Sequence, residues 1–408
     1  MKSLCKVALG LTVGLGVASL AGSPAFARKE APTARPGLPK AERTALASLK
    51  AALDARDYPG AVSALNAAQA SVRSADGRYY LAVMQVEIAR GTNNLPLLSS
   101  SIETLLASGR LTPVETGSLY ASQGAIAALA NERQRAEAAY SKAMEMAPTA
   151  DVAVTLAQFR IVAGRYSEAV ALVQRAIDLR RASGQPVPES WYRRGIVLAA
   201  AAKQGPDVLR FNREWIEANP SPENWRDAIL TYRDYAKPDA AALVDAIRLD
   251  RMARGLAGER DYLEAAQTFS AAGLPGEAKS VFEEGVSARN VDPAKATFKE
   301  AIVAAGRDAT AARPRLASLR SSAASAAAGA PAMAAADQLL SFGDYAGAAD
   351  LYRVALQKGG DADVANTRLG IALALGGRRA EADAAFHSVA GPRSELASLW
   401  LIWLAQRS

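Results

Sequence analysis

Residues 117–150 read GSLYASQGAIAALANERQRAEAAYSKAMEMAPTA, and this stretch decides the fold. Two helices can cross closely only where small residues such as Gly124 and Ala136 let the backbones approach. Tyr140 supplies an aromatic ring that fills the space left between the two helices. Pro148 ends the second helix, because proline lacks an N–H and clashes with the preceding turn. The stretch therefore predicts one closely packed helix pair.

The same spacing recurs along the chain. The turn Gly164-Arg165-Tyr166 belongs to a second copy, and Gly343-Asp344-Tyr345 belongs to another. The two C-terminal copies begin near Gly329 and Asp363, one period of 34 residues apart. Weaker copies contain Arg56-Asp57-Tyr58, Trp191-Tyr192 with Gly195, and Gly273 with Ala278 and Phe282. Six or seven units are readable, so the helix pair is a repeating unit.

This pattern resembles the tetratricopeptide repeat (TPR), which favours aromatic, small, alanine and proline residues at fixed positions of a 34-residue unit. The matching residues of the first copy are Tyr120, Gly124, Ala127, Ala136, Tyr140, Ala143 and Pro148. The resemblance implies an all-α fold. It implies a right-handed α-solenoid of stacked helix-turn-helix repeats with a C-terminal capping helix.

The amino terminus has the features of a secretory signal peptide. Lys2 and Lys6 precede an uncharged apolar stretch at residues 7–20, and Ala25-Phe26-Ala27 forms an A-x-A cleavage site before Arg28. The apolar stretch is shorter than the roughly 20 residues that span a bilayer. We therefore expect a cleaved signal, a mature chain without a transmembrane segment, and a periplasmic location. Release outside the cell is the alternative.

The composition leaves little material for catalysis. Cys5 is the only cysteine and lies in the predicted signal peptide, and His387 is the only histidine. Thiolate nucleophiles and zinc sites of the usual His/Cys kind are therefore not expected. The formal charge of +7 is a mild excess without a nucleic-acid motif. The sequence predicts no enzyme, no cofactor, no metal site and no nucleic-acid partner.

Repeats and composition divide the chain into segments. We predict a signal peptide at 1–27 and a flexible lead-in at 28–41. A TPR-like solenoid arm follows at 42–290, and a helical, low-complexity linker follows at 291–328. Residues 318–336, which overlap the end of the linker, are rich in alanine and serine, and a hinge is the alternative for this region. A TPR-like pair with its capping helix completes the chain at 329–408.

The last segment predicts an apolar helix. Ser394-Glu395 can cap a helix with one apolar stripe formed by Leu396, Leu399, Trp400, Trp403 and Leu404. A solenoid needs a terminal helix to cover its last open face, so capping is the favoured role. Leu401 and Ile402 fall off the stripe. An interface through Trp400 and Trp403, for a homodimer or for docking to a membrane-bound partner, is therefore the alternative.

The TPR resemblance also implies where a partner would bind. In such arrays the first helix of each unit lines a concave groove. Ala121 and Ala125 are small and leave room for a bulky ligand, whereas the polar lining residues can hydrogen-bond a peptide. The predicted groove residues are Ala121, Ala125, Gln158, Tyr192, Arg193 and Gln267.

These observations predict a non-catalytic exported TPR scaffold or adaptor that binds a protein or peptide partner in the cell envelope. The first alternative is an accessory subunit of envelope polysaccharide or peptidoglycan biogenesis. Sugar binding usually uses exposed aromatic rings, and the predicted lining offers only Tyr192, which favours a protein partner. A carboxylate-dependent glycosidase is the third and least favoured alternative.

Signal processing gives the first testable prediction. Cleavage after Ala27 removes the apolar segment, so the exported protein should begin at Arg28. Intact-mass measurement or N-terminal sequencing of the exported protein checks this. A chain that keeps Met1 and remains bound to the membrane would contradict it.

Overall fold

The structure, a computed structural model, describes residues 38–407. Within that range every regular element is helical and no strand occurs. The all-α prediction and the succession of helix-turn-helix pairs are therefore confirmed. The predicted signal peptide at 1–27, and the lead-in as far as residue 37, lie outside the described residues.

The chain divides into two compact units. Within the described range the first unit consists of residues 38–165 with 175–183, and the second of residues 166–174 with 184–407. Helix α8 (Tyr166–Ala182) contributes to both units. The first unit also contains α1 (Lys40–Asp54), α2 (Tyr58–Ser71), α3 (Ala75–Gly91), α4 (Leu95–Ala107), α5 (Pro113–Leu129), α6 (Arg133–Met146) and α7 (Ala150–Val162).

The second unit continues with helices of similar length. They are α9 (Glu189–Ala201), α10 (Gly205–Ala218), α11 (Pro222–Ala236), α12 (Ala240–Met252), α13 (Glu259–Ala271), α14 (Pro275–Ser287), α15 (Ala296–Ala312), α16 (Leu316–Ser325), α17 (Gly329–Ser341), α18 (Tyr345–Gln357), α19 (Ala362–Leu375), α20 (Arg379–His387) and α21 (Ser394–Ala405). Short 3-10 turns lie at Arg313–Arg315 and Gly391–Arg393.

In several helix pairs, the two helices make close contact where a glycine on the first helix faces an aromatic ring on the second. The contact occurs between Gly124 and Tyr140, between Gly195 and Phe211, and between Gly370 and Phe386. A Cβ atom added at Gly124 would lie 2.9 Å from Cδ2 of Tyr140. Any larger residue at these glycines would force the two helices apart, which explains the small residue in the sequence pattern.

The turn inside each pair follows from backbone hydrogen bonding at the end of the first helix. Two residues after the end of α5, Asn131 adopts a left-handed conformation with φ 61°. The N–H of Glu132 then donates to the carbonyl oxygen of Ala127 at 2.8 Å. This is a Schellman arrangement, which satisfies carbonyl groups that the helix end leaves unpaired. The chain enters α6 immediately afterwards, so the two helices stay adjacent.

A buried carboxylate joins the first two helix pairs of the first unit. Glu42 in α1 is buried and accepts the backbone N–H groups of Arg73 and Ser74, each at 2.9 Å. The hydroxyl of Ser74 also donates to Glu42. The Ser74 hydroxyl and the Arg73 N–H hold the pKa of Glu42 below its usual range. The beginning of α3 is thereby fixed against the beginning of α1.

The second unit is organised by one buried carboxylate with three arginine partners. Asp245 in α12 has 0% exposure. It pairs with Arg248 at 2.5 Å, with Arg393 at 2.8 Å and with Arg368 at 3.3 Å. Burial alone would raise the pKa of Asp245, but Arg368, Arg248 and Arg393 together lower it below its ordinary value. The carboxylate therefore stays ionised inside the protein.

Further ion pairs extend this cluster to other helices. Arg248 donates from Nε and Nη2 to both oxygens of Glu277 in α14, each at 2.7 Å. Arg368 in α19 donates to Asp337 in α17 at 2.7 Å. Asp337 also accepts the hydroxyl of Tyr352 in α18 at 2.6 Å. The cluster thus fastens five helices and the turn at 391–393 to one another.

The C-terminal helix packs within the second unit. Glu395 pairs with Arg213 of α10. The side chain of Gln406 donates to the carbonyl of Ile216 at 2.9 Å and accepts the indole N–H of Trp225 at 3.1 Å. Helix α21 is therefore held against α10 and α11, far from it in sequence.

The residues predicted as a linker, 291–328, contain α15, the first 3-10 turn and α16, all within the second unit. The described part of the C-terminal pair, 329–407, belongs to the same unit. The boundaries between the 42–290 arm, the linker and the C-terminal pair stay predictions.

The buried cluster leads to a stability prediction. Asp245→Asn removes the negative charge that compensates Arg248, Arg368 and Arg393, and leaves buried positive charge unpaired. We expect unfolding free energy to fall by about 3–5 kcal/mol. Urea denaturation at pH 7 measures it. A loss below about 1 kcal/mol would show that the cluster does not hold the second unit together.

Asp250 is a second carboxylate on α12, and replacing it should have the opposite effect on stability from Asp245→Asn. Burial and the nearby charge of Asp261 raise the pKa of Asp250 from 3.8 to about 7. The folded protein therefore keeps a proton that the unfolded chain loses, so this group's contribution to stability falls as pH rises from about 4 to about 7. Asp250→Asn should stabilise the protein by roughly 1–3 kcal/mol at pH 8 and have little effect at pH 4. Denaturation of both proteins at the two pH values checks this, and an equal difference at both would contradict it.

Candidate protein-binding surface

Helix α5 begins at a capping box. The Thr112 hydroxyl accepts the backbone N–H of Glu115 at 3.3 Å, and the Glu115 carboxylate accepts the backbone N–H of Thr112 at 2.8 Å. Pro113 occupies the first turn, where its missing N–H costs nothing. These local interactions fix where α5 starts and so which of its residues face outward.

One face of α5 is buried against α6 and the other is open. Gly117, Gly124 and Ala127 are buried, whereas Ala121 and Ala125 are only half-buried. Ala121 and Ala125 are therefore partly accessible at the edge of the open face, and their role in a groove stays a prediction. Their small side chains leave the backbone of α5 within reach of a ligand.

Exposed aliphatic residues accompany these alanines. Leu129 on α5 and Val162 on α7 are 55% and 51% exposed. They occupy the same position in the consecutive repeats that begin at residues 117 and 150, as do Ala125 and Gln158. Equivalent positions of stacked repeats face the same side. We call Ala121, Ala125, Leu129, Gln158 and Val162 the first-helix surface.

Leu129 and Val162 were not among the residues predicted to line the groove. Their signal was available, because an aliphatic residue recurs at the same repeat position where a solvent-facing side chain is expected. A leucine or valine in a helix is usually read as core, however, and only its accessibility distinguishes the two cases.

An arginine that departs from the TPR pattern has a structural partner. Arg160 stands where an apolar or aromatic residue is usual, and it pairs with Glu137 of α6. Arg165 pairs with the same carboxylate. Glu137 thus links α6 to Arg160 of α7 and to Arg165 just after it. The rings of Tyr140 on α6 and Phe159 on α7 also meet, with centroids 5.8 Å apart.

Tyr192 is not on the surface that was predicted for it. It is 1% exposed and is among the largest fully buried side chains of the second unit. Tyr192 shares the buried face of α9 with Gly195, Leu198 and Ala199, at helical spacing. Because Gly195 packs against Phe211, the same face turns Tyr192 into the core. Tyr192 is therefore removed from the predicted groove lining.

The other predicted residues of the second unit are accessible. Arg193 is exposed, with its Cζ atom 5.5 Å from the ring centre of Trp215, and Gln267 is exposed on α13. Ala121, Ala125 and Gln158 belong to the first unit, so a single groove that contains residues of both units stays a prediction.

The tryptophans of α21 are core residues. Trp400 has 0% exposure and stacks on Phe386, with ring centroids 5.9 Å apart and planes 13° apart. Trp403 meets Trp400 edge to face at 5.3 Å. This arrangement fits the predicted capping role. Docking through Trp400 or Trp403 would require α21 to leave the core of the second unit.

Residues 38–407 contain neither a membrane-spanning helix nor a cluster of metal-ligating side chains. Over that range no helix has the length and apolar character needed to cross a membrane. In the same residues no group of three or more histidine, cysteine, aspartate or glutamate side chains is arranged to hold a metal ion. His387, the single histidine, is exposed and its Nδ1 atom lies 2.9 Å from the carbonyl oxygen of Asp383.

No protein-family model and no curated relative matches the chain. Among solved structures it is similar to Naa15/Naa10 bound to HypK-THB, with TM-score 0.34 and 11% identity, over 87% of this chain and 63% of that one. It is also similar to the C-terminal part of a TPR repeat-containing protein from Cytophaga hutchinsonii, with TM-score 0.31 and 12% identity over 63% and 99% of the two chains. The TPR domain of P58(IPK) has TM-score 0.23 and 12% identity over 90% and 99%. The assignment of TPR-like repeats rests on the contacts within each helix pair.

Proposed function

We propose that this array of TPR-like repeats is an exported, non-catalytic scaffold that binds a protein partner in the cell envelope. The observation that supports this most is the first-helix surface, where Leu129 and Val162 are exposed at equivalent repeat positions. Burying a leucine or valine side chain contributes about 1.5–3 kcal/mol in full, and roughly half of each remains to be buried.

The partner that fits this surface is a peptide segment with bulky apolar side chains. Ala121 and Ala125 leave space for such side chains, and Leu129 and Val162 provide apolar contacts at its edge. The amide of Gln158 can both donate to and accept from a peptide backbone. An apolar strip with one such polar group is a typical arrangement for binding a segment of another protein.

The export part of the proposal rests on the sequence of residues 1–27. A basic start, an apolar stretch and an A-x-A site are typical of a signal peptide, and the periplasm is the proposed compartment, with release outside the cell as the alternative. The glycan-binding alternative loses its one predicted stacking ring, because Tyr192 is buried.

Asp250 and Asp261 are two carboxylates whose pKa values are shifted in opposite directions. Their contacts favour a structural role for the pair over a catalytic one. Burial raises the pKa of Asp250 to about 7. Partial burial also acts to raise the pKa of Asp261, but the hydrogen bonds and charge of Arg226 together with the backbone N–H groups of Ala257 and Gly258 lower it below its ordinary value. Two groups shifted in opposite directions are what a glycosidase needs. Asp261, however, accepts both Nε and Nη2 of Arg226, at 3.0 and 3.2 Å, and the N–H of Ala257. Its oxygens are already engaged.

A bulky residue at the first-helix surface tests the proposal. Ala125→Trp fills the space between the exposed aliphatic residues, so a partner isolated from envelope extract with the native protein should be retained at about one tenth of its native level or less. Because the Ala125 side chain is partly accessible, the indole can point outward, and the protein should still melt cooperatively near the native temperature. Pull-down and thermal melting of the same preparation measure the two effects.

The matched control is Ala138→Trp on α6. Ala138 is exposed on the second helix of the same repeat, away from the proposed surface. The control should bind the partner as the native protein does. If Ala125→Trp binds as well as Ala138→Trp, with unchanged melting temperatures, the partner does not use the first-helix surface.

A further inference from the structure

The second unit contains a cavity of about 310 Å³. Helices α12 and α14 form one side, the end of α15 with the turn at 313–315 forms another, and the α17–α18 turn with the end of α19 closes it. The first-helix surface contributes no residue to it. The cavity is therefore a separate feature, and its volume is at the lower end of the range of about 300–1,000 Å³ for small-molecule sites.

One side of the cavity is apolar. Leu340 is buried, while Met252, Phe342, Tyr345 and Leu375 are partly exposed around it. These side chains come from α12, from α17 and the turn after it, from the start of α18 and from α19. An aliphatic or aromatic group of about the size of one amino-acid side chain can be buried against them.

The other side carries positive charges, most of which are already paired. Arg251 donates from Nε to Glu284 and from Nη2 to Ser280, each at 2.6 Å. Lys279 pairs with Glu283 at 2.5 Å. These two cations therefore have counter-charges on α14, and neither adds net charge to the cavity.

Arg248 and Glu277 form the floor of the cavity, and the positive charge of Arg248 is also balanced by carboxylates. Arg248 is held by Asp245 and by both oxygens of Glu277. The backbone N–H of Glu277 donates to the hydroxyl of Ser341 at 2.9 Å. Because the floor is fixed before any ligand arrives, binding would require little reordering.

Arg313 is the lining cation that lacks such a partner. It lies on the 3-10 turn at the end of α15 and is exposed. In the part of the chain that the structure describes, no carboxylate forms an ion pair with it. The cavity thus combines an apolar wall with one uncompensated guanidinium group, which binds carboxylates through two parallel hydrogen bonds.

We propose that this cavity binds a small ligand that consists of one anionic group, best a carboxylate, on a compact apolar body. The carboxylate meets Arg313, and the apolar body packs against Leu340, Phe342 and Leu375. Free acylated amino acids and the C-terminal residue of a peptide share this chemistry. The proposal is independent of the partner-binding role of the first-helix surface.

Calorimetric titration of the mature full-length protein tests the ligand class. N-acetyl-leucine should bind saturably with one site per chain, and N-acetyl-leucinamide, which has the same body without the charge, should bind at least about tenfold more weakly. Tetraglycyl-leucine distinguishes the sources. Binding as tight as that of N-acetyl-leucine indicates a peptide end, and much weaker binding indicates a free small molecule; both outcomes support the site.

Variants on one turn test the residue assignment. Arg313→Gln should weaken carboxylate binding about tenfold or more, whereas Arg315→Gln, two residues away and outside the cavity lining, should change it less than about twofold. Thr310→Trp, at an exposed lining position, should block every probe while the melting temperature stays unchanged. The proposal is overturned if neither carboxylate binds, if the amide binds equally well, or if the two arginine variants behave alike.

Discussion

The second unit depends on the ion pairs of Asp245. A carboxylate with 0% exposure is stable only when its charge is compensated, and three arginines from α12, α19 and the turn before α21 supply that compensation. Arg368 and Arg393 are 123 and 148 residues away along the chain. Any arrangement that separates these segments would leave buried charges unpaired. The ion pairs therefore select one packing of the C-terminal repeats against α12.

The same cluster shapes the cavity. Arg248 connects Asp245 to Glu277, so the floor of the cavity and the central ion pairs are continuous. The helix pairs themselves are held differently, by a small residue on the first helix and an aromatic or apolar residue on the second. On α5 the glycine that packs against Tyr140 is buried, whereas Ala121 and Ala125 lie beside it and are partly accessible.

The six residues predicted to line the groove differ in accessibility. Ala121, Ala125, Gln158, Arg193 and Gln267 are accessible at least in part. Tyr192 is buried because it lies three residues before Gly195, on the helix face that packs against α10. Repeat position alone does not separate these cases, since the face that a residue takes depends on which neighbours the helix packs against.

The sequence by itself determined the helix pairs, their turns and the apolar stripe of α21. These features are local, because helical spacing, a left-handed turn residue and a small residue opposite an aromatic ring act within one 34-residue unit. Only the tertiary structure decided that Asp245 meets Arg368 and Arg393, that Trp400 and Trp403 are buried, and that Arg313 faces a cavity. The spacing of charged residues in the sequence does not indicate which of them will form ion pairs. Such ion pairs form only when helices that are distant in the sequence pack together.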